Sequence, residues 1–460
     1  MEFSLAQIQE ATGAQVVNLN GEARICGWSI DSRTLSEGDL FFAIKGEHFD
    51  GHAFIGAAFE RGAAAAVVSD PEMWRTLQRA AVDFSPPGPL LYVPDTLQAL
   101  QTLAQWARLQ WGCPVVAVTG SAGKTSTKDI IAACLGVRFR TGKTSGNFNN
   151  QFGLPLTLLR LPDEAEIAVV ELGMNHAGEI RCLAGIAAPQ VGVVTNVGYA
   201  HIEFFDGIEG VAAAKRELIE ALPRDGVAVL NADDERVLKF RDVHPGRSIT
   251  YGMNKKAEIR AENLDLRAGG ATFTVSGVPF ESPLVGRHSV SNVLAGLAAA
   301  SAFDIPLSEL VTTVARLSTG KMRGERSDWR GVVILNDSYN SNPEAARSML
   351  DVLREEPAKR RIAVLGEMLE LGHMAERLHR ELGAYAAHSG VDVLVGVRGV
   401  SRLMVEEAQR AGLSDHAAFF FEDPDAAGDF LREFVRPGDA ILFKGSRGTH
   451  VENALAVMER

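Results

Sequence analysis

The chain has 460 residues, 46% of them hydrophobic and 23% charged, with a formal net charge of -12. That length exceeds one ordinary core, and domain-size statistics divide it into about three domains of roughly 150 residues. The acidic excess opposes attraction to polyanions, and without a local basic patch it excludes nucleic acid as a partner. No run of about 18 apolar residues is present to cross a membrane.

The N-terminus MEFSLAQIQEATGAQ has no basic segment followed by an apolar one, so a cytoplasmic location is expected. Cys26, Cys113, Cys134 and Cys182 are far apart, without a CxxC pair, and read as reduced core thiols.

In chain order, SLAQIQEATG has helical periodicity and precedes strand-like ARICGWSI and GDLFFAI, then the Ala-rich AFIGAAFERGAAAAVVSD. SPPGP at 85–89 stops both helix and strand. LLYVP then reads as a strand, and DTLQALQTLAQWARLQW as a helix capped by Asp95 or Thr96. These elements define a first domain over 1–110.

Beyond it VVAVT, IAVVEL, VGVVTNV and GVAVLNA are apolar runs of strand length separated by helical patterns, which indicates a parallel sheet buried on both faces. The polar alternation over 255–285 predicts a small antiparallel excursion, and SVSNVLAGLAAASAF a return to helix, within a second domain over 111–316. After LSTGKMRGERSDW, the strands GVVILND, RIAVLGE, VDVLVGV, AAFFFED and AILFKGS alternate with helices such as NPEAARSMLDVLREE over 317–460. The fold class is therefore α/β. No GxGxxG turn is present, so no dinucleotide is implied.

The strongest chemical signal is VVAVTGSAGKTSTKDII, a strand that runs into Gly120, Ser121, Ala122, Gly123, Lys124, Thr125 and Ser126 and then a helix. Glycines let backbone N–H groups wrap a phosphate, the lysine reaches the outer phosphates, and the threonine hydroxyl can hold magnesium. Val118 stands where the longer GxxxxGK[ST] pattern has its first glycine, so only G-x-x-G-K-T remains.

Glu171 ends IAVVE, Thr195 and Asn196 end VGVVTN, and His201 follows. Parallel strands bring such ends to one edge, where Glu171 and His201 can reach a metal beside a nucleotide. His201 reads equally as a capping or core histidine. Lys215 in AAAKRELIEAL reads as part of a solvated helix face, and Asn147, Asn149 and Asn150 in SGNFNNQFG as turn formers. Asp337, Glu367 and Lys444 end strands of the third region, where a second functional edge would form a cleft.

The order and spelling of these segments resemble the Mur ligase family, the ATP-dependent amino-acid-adding enzymes of bacterial peptidoglycan synthesis, across essentially the whole chain. These ligases carry TGSxGKT, which accounts for the short loop. The resemblance implies a small N-terminal α/β domain for the UDP portion, a central P-loop ATPase with a mostly parallel sheet, and a C-terminal Rossmann-like domain for the amine.

It also implies ATP and two magnesium ions as cofactors. Lys124 and Thr125 serve phosphates and magnesium, Glu171 and His201 position the metal, and Lys215 matches the lysine that the family carbamylates. Asn292, Arg323, Asp337 and Tyr339 resemble the adenine, ribose and phosphate contacts. Ser29, Asp31, Ser32 and Arg33 resemble the uridine-nucleotide end of the substrate site, and Asn147, Asn149, Asn340, Lys444, Ser446 and Arg447 are further substrate-binding candidates. NFNNQFGLPLTLL, ELGMNHAGEI, GEMLELG and FKGSRGTHVE resemble the member that adds D-alanyl-D-alanine to UDP-N-acetylmuramoyl-tripeptide. A TTP segment and a DNPR, which mark the diaminopimelate-adding member, are absent. A monomer acting on these substrates is expected, with a diaminopimelate- or lysine-adding ligase as the alternative.

Overall fold

The computed structural model describes residues 1–17, 24–46, 49–72 and 88–460. Ser85, Pro86 and Pro87 of the SPPGP breaker lie outside the described residues. The chain forms two compact units, one of residues 1–117, 139–173 and 179–190, the other of 118–138, 174–178 and 191–460.

In the first unit α1 (Leu5–Thr12) starts at a capping box, in which Ser4 Oγ accepts from Gln7 N and Gln7 Oε1 accepts from Ser4 N. Five strands follow: β1 (Gln15–Val17), β2 (Gly27–Ser29), β3 (Asp39–Phe42), β4 (Ala65–Val68) and β5 (Leu90–Tyr92). They form a sheet in the order β1-β5-β4-β3-β2, antiparallel only between β1 and β5. The carboxylate of Asp95 accepts from Leu97 N and Gln98 N, so Asp95 rather than Thr96 caps α2 (Thr96–Trp111).

The central strands are β6 (Val115–Thr119), β7 (Thr141–Lys143), β8 (Ile167–Glu171), β9 (Val191–Val194), β10 (Val227–Asn231), β11 (Arg247–Gly252) and β12 (Ile259–Arg260). Their order in the sheet is β12-β11-β10-β9-β6-β8-β7. Every residue of β6, β8 and β9 is buried, which is why their sequences run apolar instead of alternating.

Helices α3 (Lys124–Leu135) and α4 (Gly153–Leu159) follow β6 and β7, α5 (Ile208–Glu220) follows β9, and α6 (Arg287–Ser301) packs on α3. The antiparallel excursion is a three-stranded sheet of β13 (Glu262–Arg267), β14 (Gly270–Val275) and β15 (Val278–Ser282).

The third sheet consists of β16 (Glu325–Trp329), β17 (Val332–Asn336), β18 (Arg360–Gly366), β19 (Val393–Val397), β20 (Ala418–Phe421) and β21 (Asp439–Lys444), in the order β16-β17-β21-β18-β19-β20. Its core gathers Ile334, Val364, Val395, Ile441 and Phe443 with Leu431 and Val451 from flanking helices. All pairs are parallel except β16 with β17. That edge strand, Glu325–Trp329, lies inside LSTGKMRGERSDW, ahead of the strands the sequence predicts for this region, because its charged residues hide the pattern. Since β17, β21 and β18 are neighbours, Asp337, Lys444 and Glu367 fall at one edge of this sheet. Among the described residues no helix is long and apolar enough to cross a membrane.

Candidate active site

The phosphate loop is held by side chains from the end of β9. Thr195 Oγ1 donates to Ala122 O at 2.7 Å, and Asn196 both accepts from Ala122 N at 2.8 Å and donates to Ala122 O at 3.0 Å. Ser121 Oγ donates to Gly198 O at 3.0 Å and accepts from Gly198 N at 2.8 Å. Gly120 has φ +150, and a Cβ there would collide with Thr195 Oγ1; Gly123 has φ +79, and a Cβ there would sit 2.7 Å from Asn292 Oδ1. Both positions thus need glycine for conformation and for space.

Gly123 caps α3 without a side-chain hydrogen bond, which leaves the cap position of this helix to a ligand of the phosphate type. Lys124 Nζ donates to Gly120 O at 2.9 Å, across the loop from its own backbone. Thr125 is buried in the first turn and Ser126 follows it. Asn292 accepts from Thr127 Oγ1 at 3.2 Å, so α6 closes the side of the loop.

Lys215 corrects the solvated-face reading. It lies on the buried side of α5 with 1% of its surface exposed, and no carboxylate pairs with it among the described residues. Burial, with the Lys124 charge acting in the same direction, drives its pKa well below the ordinary lysine value.

His201, with φ +62, starts a short 3-10 turn and places Nδ1 2.6 Å from Glu370 Oε2. This contact holds the Glu370 carboxyl below its usual range, and the charge of Lys124 adds to the effect. Glu203 N donates to Glu370 O at 3.2 Å, which fastens the same loop by its backbone. Sequence reasoning had GEMLELG as a family segment but did not single out Glu370, because its partner is far away in the chain.

At the edge of the third sheet, the buried Lys444 places Nζ 2.5 Å from Asp337 Oδ2 and 2.9 Å from Asn340 O, so these three candidates form one cluster, with Asp337 half-buried and Asn340 exposed. The Arg323 guanidinium stacks 3.8 Å above the Tyr339 ring centroid. Ser446 Oγ accepts from Leu369 N at 2.9 Å and donates to Ser341 O at 3.3 Å, while Arg447 pairs with Glu452 at 2.9 Å. Glu367 is engaged in structure, its carboxylate accepting from Val400 N at 3.3 Å.

In the first unit Glu171 is 1% exposed and accepts from Asn149 Nδ2 at 2.7 Å, while its own N–H donates to Thr144 Oγ1 at 3.1 Å. Asn149 therefore orients Glu171, and Gly173 N donates to Asn149 O at 2.8 Å. Asn147 accepts through its backbone from Asn149 N, and Asn150 turns into α4 through Gly153 N at 2.9 Å.

Around β2, Ser29 Oγ donates to Asp31 O at 3.0 Å, Ser32 is buried, and Arg33 grips Asp31 in a bidentate pair at 3.0 and 2.8 Å. The Arg33 side chain holds the Asp31 carboxyl at about 2. Of the thiols only Cys134 is buried; Cys113 is half-buried and Cys26 and Cys182 are exposed, so the core reading holds for one of the four.

Fold and loop define a phosphate-loop α/β enzyme in which a second doubly wound sheet contributes residues beside the loop. Three family models match in succession: the Mur ligase family catalytic domain over residues 24–107, the Mur ligase middle domain over 118–300, and the Mur ligase glutamate ligase domain over 322–447. The chain belongs to the Mur ligase family. It is 36% identical to a UDP-N-acetylmuramoyl-tripeptide--D-alanyl-D-alanine ligase of Bacillus subtilis, the match covering 93% of this chain and 92% of the relative. The corresponding Escherichia coli ligase is 34% identical, with 96% of each chain covered. A MurF crystal structure from Acinetobacter baumannii superimposes with a TM-score of 0.89 at 30% identity, over 100% of this chain and 99% of that one. MurF of Thermotoga maritima in complex with ADP gives 0.82 at 29% identity, over 94% and 97%.

Proposed function

We propose that this chain uses ATP to join the carboxylate of UDP-N-acetylmuramoyl-tripeptide to the amine of D-alanyl-D-alanine, a step of peptidoglycan synthesis. The observation that carries the reading is the loop braced by Thr195 and Asn196, with Lys124 and the buried Lys215 beside it. It occurs in a chain similar along its whole length to ligases of that name. The three-domain division at 110 and 316 accompanies this reading, with the matched family segments in its support.

The substrate carboxylate attacks the γ-phosphorus, ADP leaves, and an acyl phosphate forms. The amine then attacks the acyl carbon, and the tetrahedral intermediate collapses with loss of phosphate and of the amine proton. Both early partners are anions, so cations decide the rate. Lys124 neutralises charge that builds on the transferring phosphoryl group, and the first-turn amides of α3 orient it.

Among the described residues no group of three or more His, Cys, Asp or Glu side chains forms a metal cage of its own. Of the proposed donors, the Thr125 hydroxyl in the first turn of α3 fits magnesium, which takes a few protein oxygens and completes its shell with phosphates, and the Glu171 carboxylate is a hard oxygen donor of the same kind. Bound magnesium would supply further charge neutralisation. Lys215 fits carbamylation, since a buried amine that sheds its proton is the form that reacts with carbon dioxide, and the product would offer oxygen to a cation.

The test is phosphate release from ATP with UDP-N-acetylmuramoyl-tripeptide, with and without D-alanyl-D-alanine, and with diaminopimelate or lysine as competing amines. Release should require the dipeptide and fall by at least about 100-fold in Lys124→Ala. Release that responds to a single amino acid with a shorter acceptor would move the assignment to another member of the family.

A further inference from the structure

The first turn of α7 (Pro343–Glu355), which follows β17, reaches the phosphate loop. Asn342 caps the helix with Oδ1, accepting from Ala345 N at 2.9 Å, while its Nδ2 donates to Ser121 O at 3.3 Å. Two residues on, Glu344 Oε1 accepts from Tyr199 N at 3.1 Å. Its carboxyl lies against Gly198, where a Cβ would come within 2.5 Å of the carboxyl carbon. Gly198 is the residue that exchanges two hydrogen bonds with Ser121. Burial pushes the Glu344 pKa up, its Oε2 has no hydrogen-bond partner among the described residues, and the chemistry above makes no use of it.

We infer that Asn342 and Glu344 are positioning residues that set the phosphate loop from the side of the third sheet, so that nucleotide binding and the seating of α7 strengthen one another. The inference rests on the reading that this loop takes the phosphates of a nucleotide. A buried carbonyl at Ser121 and an amide at Tyr199 each need a partner, and losing one leaves a peptide plane free to turn. Turning the Ser121 plane moves the amides that follow it in the loop. The choice of asparagine is informative: Asn, Asp and Ser cap helices about equally, but of the three only Asn offers an amide donor while it caps.

The test exploits that difference in the full chain, with ADP and magnesium titrated by calorimetry beside thermal melting. Asn342→Ser and Asn342→Asp both keep the cap, so Tm should stay within about 2 °C of the unmodified chain. The serine variant should raise the Kd for ADP about 3- to 10-fold, and the aspartate variant more than about tenfold, because its carboxylate faces Ser121 O and repels the phosphates. Glu344→Gln still accepts from Tyr199 N and should bind normally, whereas Glu344→Ala should weaken ADP as the serine variant does.

In turnover, KM for ATP should rise while KM for the dipeptide stays within about twofold, a split that general loss of structure would not give. Normal ADP affinity in both Asn342 variants overturns the inference, as does weakened affinity matched by a proportional fall in Tm. Lack of ADP binding by the unmodified chain would overturn the nucleotide reading itself, and the positioning role with it.

Discussion

Gly120 shows how little latitude the loop has. Its φ of +150 disfavours an L side chain, and a Cβ would meet the hydroxyl that holds Ala122. Gly120→Ala should therefore leave the fold intact but weaken ADP binding by more than about tenfold, as a titration would read, because Thr195 must give up its grip. A different residue-scale check lies at Asp31. Arg33 holds that carboxyl at about 2, so its carbon resonance should titrate near that pH and move up toward the usual 4 in Arg33→Ala. The depressed pKa lends stability above about pH 4 and loses it as the pH falls toward 2, yet the pair is so exposed that solvent screening keeps the contribution small.

At this scale the sequence marked out candidate residues but not how they are held. Thr195 and Asn196 stood out as polar ends of a strand, and the structure gives them the loop's backbone rather than open space. Glu370, Asn342 and Glu344 went unremarked because their partners, His201, Ser121 and Tyr199, lie more than 140 residues away.

Elements were legible where burial forces a pattern and obscure where it does not. VVAVT, IAVVE and VGVV are buried on both faces and read directly as strands. TGK over Thr141–Lys143 and ERSDW over Glu325–Trp329 lie at sheet edges, carry charge, and gave no signal.

The helix α5 held a signal that was passed over. Val211, Ala214, Leu218 and Ile219 are among its buried residues, and Lys215 stands at i+4 from the first and i-4 from the last, on the apolar stripe. A lysine on that stripe has a consequence for stability. Folding lowers its proton affinity, so the unfolded chain binds more protons below the usual lysine pKa of about 10.4, and stability rises with pH up to that value. Lys215→Met removes the opposing contribution. Its Tm should equal or exceed that of the unmodified chain at pH 7, the difference should close as the pH approaches 10 to 11, and ligation should be lost. A melting series against pH checks the first two outcomes and the phosphate-release assay the third. A variant clearly less stable at pH 7 would mean that the lysine contributes to the fold.

The whole molecule brings three anionic or zwitterionic ligands to a chain whose net charge is -12, so binding relies on local arrangement and not on the overall field. Contacts of the third sheet with the loop would couple the two proposed sites. Asn342 touches the loop, Glu344 touches the Gly198–Tyr199 segment that braces it, Glu370 touches His201, and Arg323, Asp337 and Lys444 lie on the same third-sheet side, where the amine is proposed to bind. If ADP favours the arrangement in which these contacts form, and that arrangement also forms the dipeptide site, each ligand must tighten the other by the same factor, since coupling free energy has one value whichever ligand is added first. Calorimetric titration of ADP with and without D-alanyl-D-alanine, and of D-alanyl-D-alanine with and without ADP, should return equal factors of about 5 or more, corresponding to at least about 1 kcal/mol. The same pair of titrations on Asn342→Ser should return a factor nearer to one, because α7 then no longer transmits the state of the loop. Unit factors in the unmodified chain would show that the third sheet meets the amine without regard to the nucleotide, and the contacts at Ser121 and Tyr199 would then serve only to hold the fold together.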